Sequence, residues 1–369
     1  MKHPKQTPLV ESLPASVPFV GPEALERTRN ATFTARLGAN ESVFGPAPSV
    51  LEVIKAALSE AWMYGDPESF ELRHALAAHL SIAPDEVVVG EGIDGLLGYV
   101  VRIFVAEGDA VVTSEGAYPT FNYHVAGFGG NLVSIPYRDD KEDIDGLVAA
   151  ATAANAKMVY LSNPDNPMGS WHSADAIAAM IEALPEGCLL LLDEAYVEFA
   201  PDEAVMPVDT CDPRVIRMRT FSKAHGMAGM RVGYAFGHKD NVRAFEKIRN
   251  HFGMNRISQA AALAALKAPD WVAHVKTEVE AARARIGDVA RAHGLEPLPS
   301  ATNFVTIDCG ADGDYARAVL NALVERGVFV RMPFAAPGNR CIRVSAGKPA
   351  DLDLLEAALP KALAAAKNG

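Results

Sequence analysis

Seven short apolar runs, EVVVG, DAVVTS, NLVSIP, KMVYLSN, CLLLLDEA, VIRMRTFS and RVGYAFG, punctuate the chain between Glu86 and Gly237. Helical patterns such as DGLLGYVVRIF, IDGLVAAATAA and DAIAAMIEAL separate the first of them. A half-exposed strand would alternate polar and apolar residues; these runs do not, so they read as strands covered on both faces. A mostly parallel sheet with helices on either side accommodates that arrangement, and the pattern predicts an α/β fold.

The flanks have a different texture. Residues up to Phe33 are rich in proline and polar groups and read as an extended arm. Helices are predicted from Ala47 to Ala61 and from Ser69 to Leu80, where Leu72, Leu76 and Leu80 repeat at helical spacing. From Gln259 an Ala-rich helical stretch runs to His293. It is followed by a strand at NFVTID, a helix at YARAVLNALVER, strands at VFVRM and CIRVSA, and a closing helix from Asp351. This is a smaller α+β unit. The expected division is an arm over 1–34, an N-terminal part of the small domain over 35–60, a large domain over 61–268 and a small domain over 269–369.

Charge and cysteines narrow the partners. A net charge of -12 repels a nucleic acid. Cys188, Cys211, Cys309 and Cys341 lack C-x-x-C spacing and form no cluster with histidines, so neither a metal centre nor a disulfide framework is expected. The N-terminus lacks the apolar core of a secretory signal, and LLGYVVRIFVA is too short to span a membrane. A cytoplasmic enzyme with small-molecule substrates is the expectation.

The stretch VVVGEGIDGLL places Gly90, Gly92 and Gly95 in a G-x-G-x-x-G pattern between a strand and a helix, with Glu115 ending the next strand. That is the outline of a dinucleotide site, and an NAD-dependent dehydrogenase is one reading. The physical content is narrower: amides at a helix N-terminus accept the approach of some phosphate, or the turn is simply tight. Other strand ends decide. In TFSKAHGMAGMRVGY, Lys223 follows a strand between the hydroxyls of Thr220 and Ser222, with Arg231 beyond a glycine-rich return. Alone it would be a solvated lysine. In LLLLDEAYVEFA, Asp193 leaves a buried strand with Tyr196 three residues on, either as a helix N-cap or as the partner of a cation. In VYLSNPDNPMGS two Asn-Pro pairs fix a rigid turn from which Asn163 and Asn166 could present amides, or which is a plain loop.

An amine, a buried acid and a phosphate cradle together describe pyridoxal 5'-phosphate, which needs a lysine for its Schiff base and an acid against its ring nitrogen. At about 4 Å and an effective dielectric near 20, that acid is worth on the order of 4 kcal/mol, or roughly three pKa units.

From about Leu37 to Gly347 the chain resembles the fold-type I pyridoxal-phosphate aminotransferases of classes I and II, most closely the histidinol-phosphate aminotransferase branch. NPDNPMG, Asp193 to Tyr196, TFSK and AGMRVGY match the family's motifs in order and spacing, and LGANESVFGPAP, YPTF and CIRVSAG extend the match. The resemblance implies a large domain with a mostly parallel seven-stranded sheet sandwiched by helices, plus a smaller α+β domain. It implies that Lys223 forms the Schiff base and shuttles a proton, that Asp193 pairs with the ring nitrogen, and that Tyr196 and Asn166 hold the ring oxygen. Phe121 would stack on the ring, with an ordinary core aromatic as the alternative. Gly92, Ile93 and Asp94, with Thr220, Ser222 and Arg231, would bind the phosphate, which Tyr64 would reach from the other subunit of a homodimer. Arg343 would bind the substrate's anionic group, with Asn166 nearby.

Two departures stand out. GIDG replaces the family's G-S-D-E, and Met168 replaces its threonine. The implied reaction is transfer of an amino group from histidinol phosphate or an aromatic amino acid to a 2-oxo acid such as 2-oxoglutarate. A decarboxylase of the same fold, or a cofactor-retaining regulator, are the alternatives.

Overall fold

The computed structural model describes residues 3–15 and 20–367. Seven strands form its central sheet: β1 (Val87–Gly90), β2 (Ala110–Ser114), β3 (Asn131–Ile135), β4 (Met158–Ser162), β5 (Leu189–Asp193), β6 (Val215–Thr220) and β7 (Gly233–Gly237). They lie in the order β1-β7-β6-β5-β4-β2-β3, and every pairing is parallel except those of β7 with β6 and β1.

The reason the runs are unbroken is visible in β4 and β5. Met158, Tyr160, Leu189 and Leu191 pack with Leu96, Val100 and Phe121 of the helices Gly92–Phe104 and Pro119–Gly127. The residues between them, Val159, Leu161, Leu190 and Leu192, pack with Leu147, Ile177 and Met180 of Ile144–Ala153 and Ala174–Ala183 on the other face. A polar side chain at either set of positions would be buried against a helix layer. Only the edge strand β3 admits exposed polar residues, Asn131 and Ser134.

The topology removes the dinucleotide reading. In a nucleotide-binding βαβ unit the strand after the glycine-led helix returns beside the first. Here four strands separate β1 from β2, and β1 is bonded to the antiparallel β7 at the sheet edge. Glu115, just past β2, is therefore remote from the glycine turn.

A second unit is built on Phe304–Asp308, which pairs antiparallel with Cys341–Ser345 and Glu296–Pro297. Val275 and Ile286 of Pro269–Ala292, Leu323 of Gly313–Glu325 and Leu359 of Pro349–Lys367 close its core around Phe304 and Ile307. Ala35 and Leu37 join this core, and Ala35–Arg36 pairs with Val328–Phe329. Helix Pro48–Ala57 behaves differently, since Ala47 and Val50 pack with Leu72, Val87 and Ala261 beside the large sheet. We therefore propose the division at residue 268/269, with 48–57 belonging to the large unit and not to the small one.

Three local expectations are corrected. The arm is not wholly extended: Pro8–Ser12 and Pro22–Arg29 are helical, each with proline in its first turn, where the missing N–H costs no bond. The stretch from Gln259 to His293 is two helices, Arg256–Leu266 and Pro269–Ala292, because Pro269 starts a new helix instead of continuing the old one. The helix expected to reach Ala61 ends at Ala57 and tightens into a 3-10 turn over Leu58–Glu60.

One glycine ties the units' loops together. Gly226 follows Lys223 with φ +68°, and an added Cβ would overlap the carbonyl of Gly45 in the loop that carries Asn40. Gly226→Ala should lower stability by at least about 2 kcal/mol, combining left-handed strain with the displaced loop. Thermal unfolding would show this against Gly229→Ala, where nothing lies within 4 Å of the added carbon; equal midpoints for the two variants would refute it.

Candidate active site

Because β1, β2, β4, β5 and β6 run the same way, their C-terminal ends meet along one edge of the sheet. A cavity of about 720 Å³ opens there, lined from strand ends by Ile93, Ser162, Asp193 and Thr220 and from the second unit by Arg331 and Arg343. This is where open α/β sheets place their ligands.

One end of the cavity is an anion cradle. Helix Gly92–Phe104 begins here with Gly92 at φ +76°, leaving its first amides without helical partners. A Cβ on Gly92 would lie 2.6 Å from Arg231 Nη2, and one on Gly233 would lie 2.9 Å from Ile93 N, so neither position has room for a side chain: Gly92 lets Arg231 approach the helix start, and Gly233 lets β7 pack against it. Thr220 Oγ1 is 2.9 Å from Ser222 Oγ, and Arg231 Nη1 donates to Ser222 Oγ at 3.5 Å. Arg231 also pairs with Asp94 at 3.2 Å. Ile93, standing where the family has serine, buries its side chain among Leu96 and Leu97, so that only its backbone is left to serve an anion.

Asp193 ends β5 only 3% exposed. Its Oδ1 accepts from Ala195 N at 2.9 Å and its Oδ2 from the Tyr160 hydroxyl at 2.8 Å. Burial pushes the carboxyl up to about 6, against the pull of these donors and of Lys223. The N-cap alternative fails, since only a 3-10 turn, Val197–Phe199, follows and Asp193 does not cap it. Its neighbour Glu194 faces elsewhere, into buried ion pairs with Arg217 at 2.7 Å and Arg219 at 2.9 Å.

Lys223 lies 5.4 Å from the Tyr196 ring centroid, and its Nζ donates to Asn40 O at 3.0 Å. Asn40 is buried at φ +53°, and its Nδ2 donates to the Tyr196 hydroxyl at 3.1 Å. It therefore bridges two of the expected site residues.

The two asparagines of the rigid turn separate. Asn163 spends its amide on the chain, donating to His172 O and Ala204 O and accepting from His172 N, so it holds the loop and presents nothing. Asn166 lines the cavity and accepts a hydrogen bond from Arg343 Nη1.

Phe121 is a correction. It is fully buried and stacks on Tyr160 at 4.4 Å, in the core behind the cavity. The aromatics that line the cavity are Tyr118, Tyr196 and Phe334, and the Tyr118 hydroxyl donates to Asp94 Oδ1 at 2.8 Å. Tyr64 is 79% exposed beside Phe252 and does not line its own chain's cavity.

Arg343 and Arg331 face each other across an antiparallel bridge, exchanging backbone hydrogen bonds of 3.1 and 2.6 Å, which puts both side chains on one face. Arg343 Nε is buried without a partner among the described residues. Burial, with the neighbouring Arg331 charge, pulls Arg343 down to about 10, and burial lowers Arg331 as well. Two guanidinium groups at one wall can receive an anion, with Arg331 also donating to Val20 O at 2.6 Å. Sequence reasoning missed Arg331, Tyr118, Asn40 and Tyr160.

The family model for aminotransferase class I and II matches residues 34–359. The chain belongs to that family. As a class I and II aminotransferase it is 54% identical to histidinol-phosphate aminotransferase from Sinorhizobium meliloti, solved in complex with pyridoxal-5'-phosphate. That structure superposes with a TM-score of 0.96 over 98% of each chain. The aminotransferase is also 34% identical to histidinol-phosphate aminotransferase 1 of Mesorhizobium japonicum, over 89% of this chain and 90% of that one. It is 33% identical to an aromatic amino acid aminotransferase of Mycolicibacterium paratuberculosis, over 89% and 91%.

Proposed function

We propose that this chain is a pyridoxal-phosphate-dependent aminotransferase exchanging an amino group between histidinol phosphate, or next an aromatic amino acid, and a 2-oxo acid such as 2-oxoglutarate. The observation that carries the reading is the convergence in one cavity of an amine (Lys223), a buried acid (Asp193) and an anion cradle (Thr220, Ser222, Arg231 and the Gly92 helix start). These residues fit pyridoxal phosphate: the helix start at Gly92, beside Thr220, Ser222 and Arg231, offers donors to a phosphate, and a carboxyl raised by burial gains from a cationic ring nitrogen.

When bound, the cofactor supplies an aldehyde for amines and a ring that accepts the electron pair left by α-proton removal. The chain's residues do the rest. Lys223 would hold the cofactor through its amine and, when free, would carry the proton removed from the substrate α-carbon. Asp193 keeps the ring nitrogen protonated, with Tyr160 and Ala195 N fixing its carboxylate. Tyr196 and Asn166 serve the ring oxygen, and Tyr118 takes the ring-face role in place of Phe121. Backbone amides of Gly92, Ile93 and Asp94 join Thr220, Ser222 and Arg231 at the phosphate.

The Arg343 and Arg331 pair supports the substrate assignment. Two guanidinium forks side by side suit a phosphate dianion, whereas a carboxylate requires one. Arg331→Ala should raise KM for histidinol phosphate on the order of 10- to 100-fold, the effect of a charged hydrogen bond worth about 1.5–3 kcal/mol, and change KM for phenylalanine far less. Glutamate formation from histidinol phosphate and 2-oxoglutarate tests the reaction itself. With candidate amino acids that carry a carboxylate, carbon dioxide release without the matching oxo acid would assign the decarboxylase instead.

We also infer a cytoplasmic homodimer. Among the described residues no helix is long and apolar enough to cross a membrane, and all four cysteines are free. Tyr64, 79% exposed with its ring against the exposed Phe252, forms an aromatic patch that a second copy would cover, bringing Tyr64 to the neighbouring phosphate.

A further inference from the structure

Asp165 stands between the two Asn-Pro pairs, and no role above uses it. It is 2% exposed. Its Oδ1 accepts from the Tyr137 hydroxyl at 2.8 Å and its Oδ2 from Met168 N at 2.9 Å, and the backbone N–H of Asn166 also donates to the carboxylate. The Asn166 side-chain oxygen accepts from Arg343, so the buried carboxylate grips the backbone of the residue on whose side chain the anion-binding guanidinium rests, close enough for the Arg343 charge to act on it. The other Arg343 side-chain hydrogen bond is to a neutral carbonyl, Gly38 O at 3.3 Å.

We propose that Asp165 is a positioning residue for the substrate anion: through Asn166 it fixes where Arg343 presents its fork, and its charge sets how much positive charge that fork has left to offer. The proposal rests on the reading of Arg343 as the anion site.

The surroundings let that charge vary. Glu142 is 1% exposed, accepting from Ser114 Oγ at 2.6 Å and Ser162 N at 2.9 Å. Two carboxyls in one buried region repel each other. Burial, then Asp165, hold Glu142 well above its ordinary value, while burial lifts Asp165 to about 7 against the pull of Met168 N, Tyr137 and Arg343. The charged and titratable groups around the pair are Tyr137 after β3, Tyr160 from β4, Asp193 from β5, Arg343, and Cys341, whose thiol packs against Tyr137 and Met168 and is pushed up to about 12. Asp165, lifted to about 7, is the member of the pair whose charge changes near neutrality. Protonated Asp165 leaves the Arg343 charge unopposed; ionised Asp165 offsets it. Affinity for an anion should therefore fall as pH rises through about 7. A coupling of about one pKa unit corresponds to roughly tenfold.

The test is calorimetric titration of the pyridoxal-phosphate-loaded enzyme with succinate, a dicarboxylate with no amino group to transfer, at about pH 6 and about pH 8.5. Asp165→Asn keeps an acceptor for the turn amides and removes the charge. It should bind succinate like the wild type at the lower pH and roughly tenfold more tightly at the higher one. Tyr137→Phe removes a donor that favours the ionised carboxyl, so it should move the midpoint of the affinity profile to higher pH. A wild-type profile that parallels Asp165→Asn, weaker binding by that variant at both pH values, or an unmoved midpoint in Tyr137→Phe would overturn the proposal. Amino transfer is assayed on the same wild-type preparation; its absence would overturn the functional reading and leave the binding comparison intact.

Discussion

Lys223→Ala is expected to lose amino transfer by at least about 10⁴-fold, the upper end of what one positioned acid–base group contributes, because it removes the attaching amine and the proton carrier together. The fold should survive, since the one hydrogen bond the amine makes among the described residues is to Asn40 O at 3.0 Å, worth about 1 kcal/mol. Two measurements check this. Turnover of histidinol phosphate with 2-oxoglutarate should vanish. Borohydride treatment should fix the cofactor to the wild-type chain, visible as added mass on the peptide bearing Lys223, and should leave the variant unlabelled. A variant with turnover near the wild-type value, or with the label on another lysine, would remove Lys223 from the mechanism.

That lysine was legible in the sequence for a physical reason. Strands covered on both faces hold a charged residue only where it is paired, as Arg217 and Arg219 are with Glu194, so Asp193 after LLLL and Thr220, Ser222 and Lys223 after VIRMR mark the strand ends. Open sheets gather such ends at one edge. The pairing order was not legible. That β7 runs between β1 and β6 is a long-range fact, and on it depends whether the glycine turn faces a nucleotide or a strand-end lysine. Pro269 did carry a usable signal: a proline within an Ala-rich helical pattern marks a new first turn.

The misses within the site share a cause. Tyr118 and Phe121 are three residues apart in AYPTF and both are aromatic. Tyr118 precedes the helix, with φ -52° and ψ 112°, and is free to turn to the cavity, while Phe121 lies within it and is driven onto Tyr160. Tyr160 sits in an apolar run where it looks like core, and its hydroxyl finds Asp193 only because β4 and β5 are neighbours. Asn40 and Arg331 come from segments far from Lys223 in the chain, and folding alone makes them part of the site.

Asp193→Asn separates the charge of the acid from its shape, and its effects should run in opposite directions for catalysis and stability. The amide can still accept from Ala195 N and donate to the Tyr160 oxygen, so the strand end keeps its geometry. What is lost is an anion beside the ring nitrogen, on the order of 4 kcal/mol at about 4 Å and an effective dielectric near 20. Turnover should fall about 10³-fold, with KM changing much less. For the cofactor-stripped protein the sign reverses. Burial raises the Asp193 carboxyl from 3.8 to about 6. Between those values the native state binds more protons than the unfolded one, so stability is lost as pH rises from about 4 to about 6, by about 3 kcal/mol once the group is ionised. Stripped Asp193→Asn, which has no charge to bury, should match the stripped wild type near pH 4 and exceed it in thermal midpoint above pH 6. Adding pyridoxal phosphate should reverse that order, because the wild type alone gains the ion pair. Turnover within about tenfold of wild type, or a stripped variant less stable than wild type above pH 6, would show that the carboxylate is not held for a cationic ring.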